Sequence, residues 1–593
     1  MRIRRIDISH FRGIESCAWV LRPDQRFVSL IGPGDATKST VLTAIERCLT
    51  DRWRVEFRDT DFFNADVTVP IVIRIAVDDL TEDLMSLDAF GSMLCGINSD
   101  GQLTHDPADA EDACVAIELR VEDDLEPQWT AVRPGDTEGQ PVKSSLRSRF
   151  GVYRVDERVD AHLRWSRMSA LGKLTESRHG TRSTLTAANR AAHKAVSAHV
   201  TTELADLATE IQHKMKALGS ADFVELKPGL DLSLTNSQGN LALFDGSVPL
   251  MNFGLGTRRL AGAAAQQLAH AGSAILLVDE VEYGLEPHRL AHLLTTLRTP
   301  NAYAQVFITT HSPTALVHLD AQDLVTVRTT SGVTTLQLLG DPASLQCTLR
   351  SSPAAFLAKH VIVCEGKTEL GIVLEALERW DRLRSSDNQA PSAALGVVAV
   401  EGGGGAAPSR AQSLCDAGYQ VTLFADSDDP VTSAKYPGLS ATGIQVIEWG
   451  NSFHTEAAIC NDLDAPALTD LIALAVSVAD DAETAQQSIH SQLQSRGAPR
   501  TTSPTDVESW IEANTTLEKA REIISRTAHE KTWFKNVEKG RRLVGFLATQ
   551  PGDLLSDGPE VGISPLAQGL ARMQHAVYGT RVVEKASHDE SGT

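Results

Sequence analysis

Apolar and polar positions alternate over Arg2–Ser9, which predicts a half-buried strand. Arg26–Ile31 (RFVSLI) reads as a shorter apolar strand. The Gly-containing loop Gly32–Thr40 follows, and apolar residues then recur at helical spacing over Ser39–Leu49. Residues 67–77 (VTVPIVIRIAV) and 113–121 (ACVAIELRV) predict further strands. Residues 155–217 lose strand alternation and become rich in Ala, Arg, His, Glu and Lys. From Ser183 to Leu218 the spacing is helical, so this stretch reads as a helical insertion. Strands return with Ala274–Val278 (AILLV) and Ala304–Thr309 (AQVFIT). Continuous apolar runs of this kind are expected of buried parallel strands.

A second α/β pattern begins near Leu357. Its strands are His360–Cys364, Leu395–Val400 and Val421–Ala425, with helical segments between them, which predicts a parallel sheet. Residues 386–394 and 402–409 read as loops from their composition. A largely helical, polar stretch covers about 465–530, and the tail after Val583 has a disordered composition. The expected divisions are 1–154 and 219–350 for an N-terminal module interrupted by 155–218, then 357–545, then an extension over 546–593. No internal repeat of fixed period is present.

The chain has 593 residues, which suits two to four domains. Its 42% hydrophobic and 22% charged content is ordinary for a soluble protein. No apolar run approaches the roughly 20 residues of a membrane helix, and the basic start lacks the apolar stretch of a secretion signal. A cytoplasmic protein without membrane association is expected. The eight cysteines are scattered with no CxxC pair, so buried free thiols are expected. The net charge of −22 argues against a surface coated for phosphate binding. A local basic groove, or metal ions held by carboxylates, can still engage a phosphate.

Gly32-Pro33-Gly34-Asp35-Ala36-Thr37-Lys38-Ser39-Thr40 follows a strand and opens a helix. It fits G-x-x-x-x-G-K-[ST] except that Thr37 replaces the second glycine. The chemistry is a backbone cradle for phosphates at a helix N-terminus, with Lys38 reaching phosphate and Ser39 coordinating Mg2+. Ala274–Val278 then ends in Asp279 and Glu280, placing one carboxylate beside Mg2+ and the next where a water-polarising base belongs. The following strand ends at Thr309-Thr310-His311, a position that resembles the one where ABC-type ATPases carry a histidine facing the γ-phosphate.

A second cluster of chemistry is acidic. Val361–Cys364 delivers Glu365 at a strand end, followed by Gly366 and Glu369; Val421–Ala425 delivers Asp426 and Asp428. In a parallel sheet both strand ends lie on one edge, so these carboxylates can converge. Hard oxygen ligands suit Mg2+ or Mn2+, and two such ions can stabilise both oxygens of phosphodiester cleavage. A lone DxD is usually a solvated turn; the ordered set Glu365, Asp426, Asp428 favours a site. Glu369, one helical turn on, could join it. Glu456 fits a second-metal ligand and a helix-start carboxylate equally well. In Lys531–Gly540 a lysine followed by a Gly turn resembles the late segment of OLD nucleases that supplies a catalytic lysine; the resemblance implies that Lys535, with Lys531 in reserve, stabilises phosphate charge, and either could also be a plain surface residue.

The first three motifs resemble the RecF/SMC-like branch of ABC ATPases. The resemblance implies nucleotide contacts from Gly32, Gly34, Asp35, Thr37, Lys38, Ser39, Thr40 and Asp279. It also implies catalytic roles for Glu280 and His311. Asn252–Arg259 occupies the place of the signature segment that contacts ATP across a dimer, with Gly256 matching its glycine and Gly254 standing where serine is usual. Asp61 lies where a Q-loop would be, without its Gln. The 155–218 insertion falls where that family places a dimerisation arm. Strand–EGxxE, the glycine run after Glu401, and strand–DxD together resemble the Toprim fold. An ABC ATPase followed by Toprim is the architecture of the OLD (overcoming lysogenization defect) nucleases, which include the related Gabija nuclease. The resemblance covers about residues 1–545. It implies ATP, with Mg2+ or Mn2+ in one- or two-ion sites, and metal-dependent DNA cutting or nicking in antiphage defence. The partners it implies are DNA, a homodimer or homotetramer through the ATPase module, and a helicase or reverse transcriptase encoded nearby. The competing class is a non-cleaving RecF-like ATP switch that binds DNA or a partner protein. A topoisomerase or primase fits less well, because no tyrosine stands in a nucleophile context and no polymerising machinery is evident.

Overall fold

The computed structural model describes residues 1–52, 55–155, 163, 171, 201–219, 224–231, 240–269, 274–300, 302–339, 342–479, 481, 484–500, 505–550 and 565–579. The chain divides into two compact units, Met1–Leu339 and Gly340–Thr593. The helix Pro342–Ser351 therefore falls in the second unit, whereas the sequence reading carried the first module to 350.

The first unit is built on a fourteen-stranded sheet. One end of it is parallel: Val152–Val155, Ile275–Val278, Gln305–Thr309, Phe27–Ile31 and Leu324–Thr330 lie side by side in that order. Phe27–Ile31, Ile275–Val278 and Gln305–Thr309 are buried at every position, as strands covered on both faces must be. The other end is antiparallel. Arg2–Phe11 lies between Ile14–Val20 and Ile71–Asp78, and Asp112–Val121 follows. Apolar side chains from these strands, among them Ile6, Ile73 and Ile117, share a core with Val41, Leu42, Ile45 and Leu49 of the helix Lys38–Leu49. The strand expected at 67–77 begins only at Ile71, because Asp66 accepts from the Thr68 N–H and hydroxyl in a turn. Most of the helical insertion expected at 155–218 lies outside the described residues. Within it, the helix Thr202–Ala217 buries Leu204, Leu207, Ala208, Ile211 and Met215 along one face.

The second unit carries a four-stranded parallel sheet in the order Val397–Glu401, His360–Cys364, Gln420–Ala425, Gln445–Glu448. The chain starts in the middle of this sheet, adds a strand on one side, then crosses to the other. That reversal opens a crevice at the carboxyl edge next to His360–Cys364, the usual ligand position in open parallel sheets. Helices Lys367–Ser386 and Val537–Leu547 cross in close contact: a Cβ on Gly371 would lie 2.2 Å from the Val537 carbonyl oxygen, and one on Gly540 would lie 2.4 Å from that of Thr368. Gly540 is thus a helix-packing residue and not the turn read from sequence. Residues 402–409 are also not all loop. Ala407 and Pro408 begin the helix Ala407–Asp416, where proline's fixed φ suits the first turn. Among the described residues of 465–530 there are four helices, Ala465–Ser477, Ala485–Ser495, Val507–Glu512 and Leu517–Glu530. In the expected C-terminal extension, the helix Pro565–Tyr578 places Leu566, Leu570, Met573 and Val577 in the core of this unit; the tail after Val583 lies outside the described residues.

Candidate functional site

The loop between Phe27–Ile31 and Lys38–Leu49 has an unusual backbone. Asp35 and Thr37 have φ of 60° and 61°, and Gly32 has φ of 140°. A Cβ on Gly32 would lie 2.5 Å from the Val327 carbonyl oxygen, so glycine is required there. Thr37 takes the left-handed conformation that explains why glycine is usual at its position. Its hydroxyl bonds those of Thr329 (3.0 Å) and Thr334 (3.2 Å), which fastens the loop to the neighbouring strands. Lys38 is buried and donates to the carbonyls of Gly32 (3.0 Å) and Pro33 (2.7 Å). Burial lowers its pKa to about 8, against the pull of Asp279 and other carboxylates. Gly34, Asp35 and Ser39 are exposed along this loop and Thr40 is half-buried at the helix start.

Ser39 Oγ donates to Asp279 Oδ1 at 2.9 Å. Thr309 Oγ donates to the same oxygen at 2.7 Å, and Arg154 Nη2 reaches Asp279 Oδ2 at 2.5 Å. Glu280 has φ of 47°, and its N–H donates to Thr309 Oγ. His311 is exposed; the His311 N–H and the Thr310 hydroxyl both donate to Glu282. Partial desolvation and the Lys38 ammonium hold the His311 imidazole below its ordinary pKa. The loop, helix start, hydroxyl and carboxylate fit a nucleotide phosphate with Mg2+. Sequence reasoning missed Arg154 and Thr309. Both follow from strand pairing, since Val152–Val155 and Gln305–Thr309 flank Ile275–Val278.

Two further residues near this site have close partners within the chain. A Cβ on Gly256 would lie 2.1 Å from the Gly284 carbonyl oxygen. Asp61 is a structural anchor: Arg12 (2.8 Å) and Arg47 (3.1 Å) pair with it. Burial would raise its pKa, but these arginines hold it below the ordinary value.

In the second unit, Glu365, Glu369 and Asp426 come together at the carboxyl edge. Glu365 Oε2 accepts from the Asp426 N–H at 2.8 Å. Glu369 caps its own helix through Gly366 N–H at 3.0 Å. Thr455 Oγ lies 2.7 Å from Glu369 Oε1 and 2.8 Å from Asp426 Oδ1, and accepts from Trp449 Nε1 at 2.9 Å. A hydroxyl has one proton, so it satisfies only one of these two carboxylates. Burial, then mutual repulsion, pushes Asp426 well above the ordinary carboxylate range. Burial raises Glu369 and Glu365 as well.

The extended chain turns Asp426 inward, and Ser427 the other way, where it donates to the Trp449 carbonyl. Asp428 is exposed, and no hydrogen bond to it is found among the described residues. Asp429 is spent capping the helix Pro430–Ser433. Lys535 and Lys531 are both exposed; Thr368 donates to the Phe534 carbonyl at 3.0 Å, which holds the Lys535 segment beside the start of Lys367–Ser386. Glu456 is buried with His454 and His529 against it, at 3.0 and 3.2 Å. Thr455 and the two histidines were not found from sequence, because the helices that bring them in give no motif.

Residues 27–317 match the family described as "AAA domain, putative AbiEii toxin, Type IV TA system". Over these residues the first unit is thus similar to an AAA-type ATPase domain. Among solved structures, a crystal structure of an Smc head bound to the C-winged helix domain of ScpA is 14% identical; the match covers 57% of this chain and 97% of that one, with a TM-score of 0.36. An Smc head domain with an extended coiled coil, bound to the C-terminal domain of ScpA and derived from Pyrococcus furiosus, is 13% identical, with 56% and 95% covered and a TM-score of 0.36. The SMC head domain from Thermotoga maritima is 12% identical, with 57% and 100% covered and a TM-score of 0.29. No curated protein matches the chain. Among the described residues, no helix is long and apolar enough to cross a membrane.

Proposed function

We propose that the protein is an ATP-binding, divalent-metal-dependent DNA endonuclease or nickase of OLD type, with a Toprim-like second unit. One observation carries the reading: Glu365, Glu369 and Asp426 crowd one sheet edge, with a single Thr455 proton between two of them. Carboxylates crowded together without enough donors are neutralised by protons or by cations. The oxygen-rich donor set of Glu365, Glu369, Asp426 and Asp428 fits Mg2+ or Mn2+. One or two such ions would neutralise the carboxylates and stabilise charge on the oxygens of a phosphodiester.

The chain's own residues prepare that site. Trp449 and Thr455 orient Glu369 and Asp426, and the Asp426 N–H fixes Glu365. Exposed Asp428 is free to turn toward a ligand, and Lys535 supplies a cation for the phosphate. In the first unit, Lys38, Ser39 and Asp279 hold nucleotide and Mg2+, with Glu280 and His311 as the groups that would act on a γ-phosphate. ATP binding, through self-association into a dimer or tetramer, gates cleavage. The biological role is defence against phage.

Supercoiled plasmid incubated with the full-length protein and Mn2+, with and without ATP, tests this. Nicked or linear product is expected from the wild-type protein and not after chelation. Asp426→Ala should lower the rate by at least about 100-fold, the scale of removing one electrostatic stabiliser. No cleavage under any of these conditions would leave the non-cleaving ATP switch.

A further inference from the structure

We propose that His454, Glu456 and His529 form a binding site for a divalent transition ion of the Zn2+ type, distinct from the carboxylate set that suits Mg2+. His454 and Glu456 come from the start of the helix Thr455–Asp462, and His529 from the last turn of Leu517–Glu530. One ligand atom from each lies within 4.8 Å of the others. Nδ1 of His454 and Nδ1 of His529 both face Glu456 Oε2, at 3.0 and 3.2 Å. The two rings lie 4.1 Å apart, tilted by 32°.

The hydrogen bonds at this cluster show where an ion would sit. His454 caps its helix: its Nδ1 lies 3.2 Å from the Ala457 N–H, which it shares with the His454 carbonyl. A nitrogen that accepts there carries a lone pair, and that lone pair meets the Glu456 carboxylate at 3.0 Å. Two acceptors facing each other repel unless a cation lies between them. If Nδ1 instead carries a proton, it serves Glu456, and the Ala457 N–H rests on the His454 carbonyl at 2.9 Å. An ion bound by Nδ1 would take the place of that proton against Glu456 and leave the Ala457 N–H on the same carbonyl. Two ligand atoms each about 2.1 Å from one ion lie about 3.0 to 3.4 Å apart at octahedral or tetrahedral angles, which is the spacing seen here.

The donor set selects the ion class. Two imidazoles and one carboxylate suit Zn2+ and its neighbours; Mg2+ prefers an all-oxygen shell. Glu456 is buried and His529 is 40% exposed, so the pocket is anchored on one side and open on the other. An ion held here keeps positions free for water or an incoming ligand.

The inference goes beyond the nuclease reading and does not require cleavage. Its test is Zn2+ binding to the full-length protein, followed by competition with a chromophoric chelator. The wild-type chain should bind one Zn2+ tightly. The double variant His454→Asn, His529→Gln keeps a capping side chain at the helix start but removes both imidazoles. Its Zn2+ affinity should fall by more than the roughly 10- to 100-fold that the loss of an outer partner costs. X-ray absorption at the zinc edge of the wild-type complex should show two imidazole nitrogens, a readout that does not depend on how any variant folds. Unchanged affinity in the double variant, or a zinc edge without imidazole, would overturn the proposal. Failure to cleave DNA bears on the nuclease reading alone.

Discussion

The nucleotide loop of the first unit and the acidic edge of the second use the same parts: an apolar parallel strand ending in charge, and a helix that begins just beyond. They balance that charge in opposite ways. Lys38 rests on two carbonyls of its own loop, and Asp279 takes bonds from Ser39, Thr309 and Arg154. This site is satisfied from within, so nucleotide and Mg2+ must replace existing partners. The acidic edge has too few donors. Glu369 and Asp426 compete for one hydroxyl, and burial raises both carboxyl pKa values. A self-satisfied site can be switched by its ligand, whereas an under-satisfied one waits for cations. On the proposed function, that difference fits gating in the first unit and chemistry in the second.

Three changes would break or sharpen the contrast. The largest is Lys38→Ala. Losing charge-assisted bonds to phosphate, each worth about 1.5–3 kcal/mol, should weaken binding of a fluorescent ATP analogue by about 10- to 100-fold. An unchanged affinity would mean the loop does not hold phosphate. The second concerns pH. A carboxyl whose folded pKa lies above its unfolded value binds protons more tightly in the native state. Its contribution to stability is therefore lost as pH rises from about 4 through the folded pKa. Asp426, Glu369 and Glu365 all have this sign, while Glu456, held at about 2 despite its burial by His454 and His529, has the opposite one and titrates below that window. Mn2+ at about 100 times its dissociation constant adds roughly 2.7 kcal/mol. Differential scanning calorimetry should show the second unit melting several degrees higher with Mn2+ at pH 7.5, and gaining less at pH 5 because protons then compete. An equal gain at both values would contradict the shortage of donors. The smallest effect is that of Arg154→Ala. Freed from this arginine, Asp279 should recruit Mg2+ more easily, so nucleotide affinity in Mg2+ should rise a few-fold in a binding titration. A fall would make Arg154 part of the nucleotide site instead of a competitor.

Strand ends were legible in the sequence because a buried parallel strand leaves a continuous apolar run, and the charge behind it has nowhere to go but the edge. His360–Cys364 followed by Glu365, and Ile275–Val278 followed by Asp279, both read this way. What came in from the side did not. Arg154 reaches Asp279 only through pairing of strands more than a hundred residues apart, and His529 reaches Glu456 across helix packing with no local pattern. Gly540 misled for a related reason. Glycine signals a turn when read locally, but here the helices Lys367–Ser386 and Val537–Leu547 approach too closely for any side chain. Pro408 misled likewise, since proline opens a helix as readily as it marks a loop.

The most direct test of the acidic centre uses Asp428, because its exposed side chain takes no part in the described hydrogen bonds and its loss should leave the fold intact. Plasmid cleavage in Mn2+ should be compared between wild-type and Asp428→Ala proteins of equal melting temperature. A loss of at least about 100-fold is expected for a group acting on the cleavage centre. Equal cleavage by the two proteins would contradict a phosphodiester centre built on these carboxylates.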